Sequence, residues 1–275
     1  MMKVFLSTSY NQKDQIERLY KLLSSNFENF IFVVVESGEA KYYNFSKINN
    51  NIEILYTDSS SFWGKSISIG LNSIYSTLEG SNFDLIILNC DVVLNDWKVI
   101  NRIEEPKTFY TVQDNLVARS GYNIADWYRA AHEYPFNGCN FSEVEKEYVD
   151  IVPTRLICIP NYLVKKIKGV IPNYKKLPHY ASDFEFTYRI RNILNIKWLI
   201  DDSAYIIEDK STTGVKNASG SFKKRLKLFF NKKSVFNIKD RFWYSFLISK
   251  NQTCGKRIGY IISSISKLIV QLYKI

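Results

Sequence analysis

Four carboxylates stand where they could do chemistry. Asp91 follows the apolar run Leu85 to Leu88 and has a polar neighbour, Asn89, two residues earlier. A carboxylate in that setting can hold a divalent cation bridging two phosphates, and it can equally cap the turn after its strand. Asp183 and Glu185 lie in the stretch Pro178-His179-Tyr180-Ala181-Ser182-Asp183-Phe184-Glu185-Phe186. Acids in a first helical turn are favoured by the helix dipole, so either one alone is explained by stabilisation of a helix start. Two acids, with a histidine four residues before the first and a proline-bounded loop ahead of them, make a better candidate for a general base and its supports. Glu36, after the apolar run Phe30 to Val35, could bind a base or ribose, or could simply end its strand.

Other chemistries are excluded by what the sequence lacks. There is no Gly-x-x-x-x-Gly-Lys-Ser/Thr and no Gly-x-Gly-x-x-Gly, hence no P-loop and no dinucleotide fingerprint, and no Gly-x-Ser-x-Gly of a hydrolase. Cys90, Cys139, Cys158 and Cys254 form no Cys-x-x-Cys pair, and with only His132 and His179 there is no zinc-type cluster. The plain reading is reduced thiols in a cytoplasmic protein. Met1 to Tyr10 holds one short apolar run and no signal-peptide core, so export by that route is not expected.

The elements that must position the acids are legible from periodicity. Lys3 to Thr8, Phe30 to Val35, Ile52 to Tyr56 and Leu85 to Leu88 read as strands. Between them, Ile16, Leu19, Tyr20, Leu23 and Phe27 follow helical spacing over Asn11 to Phe27, and Ile67, Leu71, Ile74, Tyr75 and Leu78 mark a helix beginning near Gly64. This alternation predicts an α/β fold with a mostly parallel sheet covered by helices. In such sheets the ligand crevice lies outside the carboxyl ends of the strands, where Glu36 and Asp91 fall. Further on, strands are expected at Phe109 to Val112, Arg155 to Ile159, Trp198 to Ile200 and Ala204 to Ile207. A short helix runs through Leu163 and Ile167, a loop covers Pro172 to Pro178, and a helix is expected from about Ala181 to Leu194. Residues 108 to 150 are otherwise aromatic and turn-rich.

Four segments in order, the strand end Val35-Glu36-Ser37-Gly38, the stretch Phe62-Trp63-Gly64-Lys65-Ser66-Ile67-Ser68-Ile69-Gly70-Leu71, the strand end Leu88-Asn89-Cys90-Asp91-Val92, and Pro178 to Phe186, resemble bacterial family 2 glycosyltransferases. The similar members build capsular, lipopolysaccharide and other surface glycans. The resemblance covers residues 3 to about 214. It implies a GT-A fold, with a nucleotide-sugar-binding half over 1–115 and an acceptor half over 116–215, and an inverting transfer from a nucleotide-sugar donor to a glycan or lipid-linked glycan. It further implies that Thr8, Ser9 and Glu36 line the nucleoside pocket and that Asp58, Trp63 and Lys65 lie along the nucleotide. Asp91, as the final acid of the family's Asp-x-Asp, would ligate Mg²⁺ or Mn²⁺ together with Asn89, and Asp183 would be the general base. Glu185 or His179 would orient that base or hydrogen-bond the acceptor, and His179 could instead complete the metal site. Two positions depart from the pattern: Asn89 replaces the first acid of Asp-x-Asp, and Ser68 stands where relatives carry asparagine. Those departures motivate an alternative, a relative that binds a sugar nucleotide without turning it over.

The chain has 275 residues, is 46% hydrophobic and 15% aromatic, and carries a formal charge of +10. That composition supports a sizeable core and excludes a disordered chain. The charge is unevenly placed. Residues 216–275 carry 14 Lys and Arg against Asp240 alone (14 − 1 = +13), which leaves 37 − 14 = 23 basic against 27 − 1 = 26 acidic residues, or −3, in 1–215. The run Phe222 to Lys233 holds six basic residues among Phe222, Leu226, Leu228, Phe229 and Phe230. Over 256–275, Ile258, Ile261, Ile265, Leu268, Leu272 and Ile275 alternate spacings of three and four, with Ile262 and Ile269 widening the stripe. The 216–275 tail therefore reads as a basic amphipathic helix that docks on an anionic membrane, packs on the catalytic domain or joins a homo-oligomer. Lys267 and several serines argue against a membrane span. A peripheral protein on the inner face of the cell membrane is the resulting expectation. A nucleic-acid-binding protein driven by the tail is the competing one, which the apolar stripe disfavours.

Overall fold

The structure, a computed structural model, describes residues 1–38, 51–207, 226–231 and 234–274, and side chains as far as Gln271. The 215/216 boundary, half of the Phe222 to Lys233 run and the side chains of Leu272 and Ile275 lie outside the described residues.

Strands β1 (Met2–Ser9), β2 (Phe30–Glu36), β3 (Ile52–Tyr56) and β4 (Phe83–Asn89) alternate with helices α1 (Lys13–Asn26) and α2 (Trp63–Thr77). β1 pairs in parallel with both β2 and β4, and β2 with β3. Successive side chains of a strand face opposite ways, so an all-apolar strand buries both faces. Val4, Leu6, Val33, Val35, Leu85 and Ile87 pack with Ile67, Leu71 and Ile74 of α2. Phe5, Phe32, Val34, Ile86 and Leu88 pack with Ile16, Leu19 and Leu23 of α1 on the other side. Helical and strand periods thus meet as the sequence predicts.

Beyond β4 the chain adds β5 (Val93–Leu94), β6 (Lys107–Gln113), β7 (Leu116–Val117), the hairpin β8 (Asn123–Asp126) and β9 (Ala131–Glu133), β10 (Glu147–Val149), β11 (Leu156–Ile159) and β12 (Trp198–Ile207). All but the hairpin join one ten-stranded sheet whose main path is β10-β12-β6-β11-β4-β1-β2-β3. β11 runs antiparallel to β4, pairing Leu156 with Leu88. β12 is one strand rather than two. A shift of register against β6 between Asp201 and Tyr205 interrupts its pattern, which is why the sequence reads as two runs. Two ion pairs, Lys3 with Asp84 at 2.6 Å and Lys107 with Asp201 at 2.8 Å, are buried in the sheet.

Helices α3 (Asn161–Val164) and α4 (Ser182–Leu194) precede β12, while α5 (Ile238–Ile248) and α6 (Cys254–Lys274) follow it. α5 and α6 pack on the part of the chain between β8 and α4. Tyr244, Ile248 and Tyr260 share a buried cluster with Tyr122, Ala130, Ile151, Leu177 and Tyr188. The Tyr260 hydroxyl meets His132 Nε2 at 2.7 Å, and Ser263 donates to the carbonyl of Tyr128. No helix among the described residues is long and apolar enough to cross a membrane.

Candidate active site

β4 ends at Asn89, and the turn after it presents Cys90 and Asp91. Because β11 is antiparallel to β4, its entry lies beside this exit: the Asn89 amide donates to the Arg155 carbonyl at 2.9 Å. α4 is tied to the same edge, since Thr187 donates to the carbonyl of Val152 at 2.8 Å. The start of α4 therefore faces the carboxyl end of β4 across a cleft of about 870 Å³. Asn89, Asp91, Trp63, His179 and Asp183 all line it, so five residues from three separate segments of the sequence meet at one site.

Asp183 is perturbed by its surroundings. Burial raises its carboxyl to about 6, against the backbone amides of Phe184, Asp183 and Thr154 and the charge of Arg155, which pull the other way. A carboxylate with a partly desolvated, elevated pKa in a cleft is suited to taking a proton near neutrality. The turn that delivers it is itself unusual. Ala181, before the first residue of α4, adopts φ 59°, a left-handed conformation that costs a non-glycine residue roughly 1 kcal/mol or more. The Ser182 hydroxyl beside it is buried with no hydrogen-bond partner among the described residues. Gly64 makes the approach of α2 to this turn possible, because a Cβ there would lie 2.7 Å from Ser182 Oγ and 3.2 Å from Tyr174 Cβ.

Asp91 is exposed in the cleft, and Asn89 is partly so. Cys90 between them turns inward, its thiol pushed up to about 12 by burial and directed at Gln12 Oε1, and is unsuited to nucleophilic work. His179 is held by ring stacking on Phe62, with centroids 5.1 Å apart. Trp63 packs edge-on against Phe186.

The remaining predicted residues divide. Ser9 and Glu36 stand at adjacent strand ends: the Ser9 carbonyl accepts from the amide and hydroxyl of Ser37, and Glu36 accepts from the amides of Asn11 and Gly38. Glu36, 1% exposed, is thus engaged in organising the two loops. Thr8 precedes Ser9 at the carboxyl end of β1 and is partly exposed. Asp58 and Lys65 form an ion pair at 2.6 Å. The hydrogen bond from Lys65, with those from Ser60 and Ser61, holds the Asp58 carboxyl well below the usual carboxylate range. Glu185 is turned away from the cleft: buried, it takes both Nε and a terminal nitrogen of Arg189, which also donates to the carbonyl of Ile171. One turn of helix separates Glu185 from Arg189, so the i,i+4 pairing fixes the acid toward the Ile171 loop rather than toward Asp183. Ser68 donates to the Gly64 carbonyl one turn back, at 2.8 Å.

Sequence reasoning missed the cations. Arg18 from α1, Arg119 from the segment after β7 and Arg155 line the same cleft. No motif joins them, and Arg155 stands only as the first residue of the strand expected over Arg155 to Ile159.

No family model matches the sequence, and no curated protein does. Among solved structures, the chain is similar to the crystal structure of GalNAc-T7 with UDP, GalNAc and Mn²⁺, at a TM-score of 0.55 and 10% identity over 100% of this chain. It spans 57% of the length of that chain. The crystal structure of A197 from STIV aligns over 75% of this chain and 84% of its own, at 13% identity and a TM-score of 0.40. The likeness to the first is one of fold: this chain has a GT-A fold, with a large central sheet flanked by helices.

Proposed function

We propose that the chain is an inverting glycosyltransferase that moves a sugar from a nucleotide-activated donor to an acceptor hydroxyl. The observation that carries this reading is the elevated carboxyl of Asp183 in the same cleft as Asn89 and Asp91, at the carboxyl end of a GT-A sheet. In such a transfer the acceptor hydroxyl must lose a proton as it attacks sugar C1, and the bond from C1 to the diphosphate breaks with both electrons going to phosphate oxygen. Asp183 is the base for the first event. Arg18 and Arg155 add positive charge to the cleft that receives the second.

The donor set fits a hard divalent cation of the Mg²⁺ or Mn²⁺ kind. Asp91 supplies a carboxylate, Asn89 an amide oxygen and His179 an imidazole within one cleft. No group of three His, Cys, Asp or Glu among the described residues would hold a metal alone, so such an ion would draw its remaining ligands from the donor's phosphates. When bound, the cation would stabilise charge on the leaving diphosphate. The likeness to GalNAc-T7, crystallised with UDP and Mn²⁺, supports a nucleotide-sugar donor and a divalent ion.

The finer reading is a family 2 enzyme extending a capsular, lipopolysaccharide or similar surface glycan, with a lipid-linked acceptor and a tail that meets an anionic membrane. The exposed isoleucines of α6 support the tail's part in it. A thermal-shift screen against UDP-, dTDP-, GDP- and CMP-sugars, with and without Mn²⁺, tests the donor half. One donor class should raise the melting temperature selectively and more so with metal. No shift with any donor would sink the reading, whereas a shift without turnover would favour the inactive sugar-nucleotide-binding relative.

A further inference from the structure

A second cavity, of about 440 Å³, opens between the β8–β9 hairpin, the start of α4, α5 and α6. It shares Arg119, Tyr180, Ala181 and Phe184 with the donor cleft, so whatever fills it abuts the Asp183 site. Its volume is in the range of small-molecule sites, roughly 300–1,000 Å³.

A gap between packed layers is ordinarily apolar or has its charges paired. This one is neither. Arg119, Arg241 and Lys267 line it against a single acid, Asp240, an excess of two positive charges. The Arg241 guanidinium has neither hydrogen bond nor ion pair among the described residues, and Arg119 is exposed and lies over the Tyr134 ring at 4.8 Å. Lys267 reaches in from α6 and is fixed by donating to the carbonyl of Ala130 at 2.8 Å. The field of these cations is felt inside the cavity: after burial, the charges of Lys267, Arg241 and Arg119 hold the His132 imidazole down at about 4, so it is neutral. Asp240 is 6% exposed, and its Oδ2, without a hydrogen-bond partner among the described residues, is an acceptor for a ligand hydroxyl. Tyr134 and Tyr180, both partly exposed, supply flat apolar surfaces on which a sugar ring can lie.

We propose that this cavity is an acceptor subsite for an anionic saccharide, whose ring lies on the tyrosines, whose carboxylate or phosphate faces Arg241, Arg119 and Lys267, and whose hydroxyl meets Asp240. Its role as acceptor subsite rests on the glycosyltransferase reading; its affinity for anionic sugars does not. The site exists only because α5 and α6 close it, which gives the C-terminal helices a part in substrate recognition.

The test is isothermal titration calorimetry of the full chain, without nucleotide, against methyl β-glucuronide, glucose 1-phosphate and neutral methyl β-glucoside. At least one anion should bind, with the glucoside tenfold weaker or worse, and the preferred anion distinguishes a carboxylate from a phosphate source. Arg241→Gln should weaken the anion about tenfold, near 1.4 kcal/mol. Arg241→Lys should recover part of that, and Arg119→Gln at its exposed position repeats the loss independently. Equal affinity for the neutral glucoside, no binding of either anion at millimolar concentration, or full affinity in both glutamine variants would overturn the subsite. Failure of the transferase reading shows separately, as no donor binding or turnover while the anion titration stands.

Discussion

At the scale of one residue, Asp183 joins reactivity to instability. Its carboxyl lies near 6 in the folded chain because burial disfavours the ion, against about 3.9 for a solvated aspartate. The folded state therefore prefers the protonated acid. The stabilising contribution of protonation is complete below the unfolded pKa and is lost as pH rises through about 6. At pH 7 the ionised side chain costs on the order of 2–3 kcal/mol, at roughly 1.4 kcal/mol per unit. Two outcomes follow. Asp183→Asn, an isostere of the protonated acid, should lower transfer by on the order of a hundredfold to ten-thousandfold while keeping nucleotide affinity. The same variant should melt higher than the parent at pH 7, with the gap closing toward pH 4. Turnover close to the parent's would remove Asp183 from the role of base. In the unsubstituted chain, kcat/KM should fall on the acid side with an apparent pKa near 6, a limb that stopped-assay measurements from pH 5 to 8 would reveal. A rate still flat at pH 5 would mean that the working carboxylate is another, less buried one.

At the scale of elements, the site depends on how closely α2 and α4 can start beside one another. Gly64→Ala would place a Cβ 2.7 Å from Ser182 Oγ and 3.2 Å from Tyr174 Cβ, so the turn carrying Asp183 must shift. Overpacking of this kind costs about 1–3 kcal/mol. The expected result is a modest drop in melting temperature with a disproportionate loss of kcat, and a change in melting temperature alone would show that the contact serves packing only. These elements were legible to different degrees. The strands and helices of the first hundred residues follow from short apolar runs and from periods of three to four, because each strand buries both faces and each helix one. β12 read as two runs, because the register shift between Asp201 and Tyr205 breaks the pattern. The β8–β9 hairpin escaped notice, since its residues are mostly half-exposed and carry no alternation. Of the site, Asp91, Asn89, His179 and Asp183 were recoverable from their places at strand ends and a helix start. Arg18, Arg119 and Arg155 were not, because only the tertiary fold, with β11 set antiparallel beside β4, gathers them. Glu185 shows the opposite failure: it lies two residues from Asp183 in sequence, yet helical geometry sends it to Arg189.

At the scale of the whole molecule, the division into a −3 segment and a +13 segment acquires a spatial meaning. α6 does not lie free. Tyr260, Ser264 and Leu268 are buried against the protein, and Lys267 enters the second cavity. What that packing leaves outward is a line spaced by four, three and four: Ile258, Ile262, Ile265 and Ile269, of which Ile262 is 60% exposed. The stripe that the sequence presents as one surface is thus divided, one edge packed inward and the other exposed beside an excess of basic residues. Burying such isoleucines is worth roughly 1.5–3 kcal/mol each when complete, and each Lys or Arg near an anionic leaflet adds about 1 kcal/mol. The full chain should therefore co-sediment with vesicles containing phosphatidylserine and not with purely zwitterionic ones. Raising salt should weaken binding by screening, since the Debye length shortens from about 10 Å at 0.1 M to about 3 Å at 1 M. Ile258→Ser with Ile262→Ser should weaken it further at fixed salt without moving the melting temperature, because both side chains are already exposed. Sedimentation indifferent to lipid charge and to the double substitution would instead leave α6 with recognition and packing as its only work.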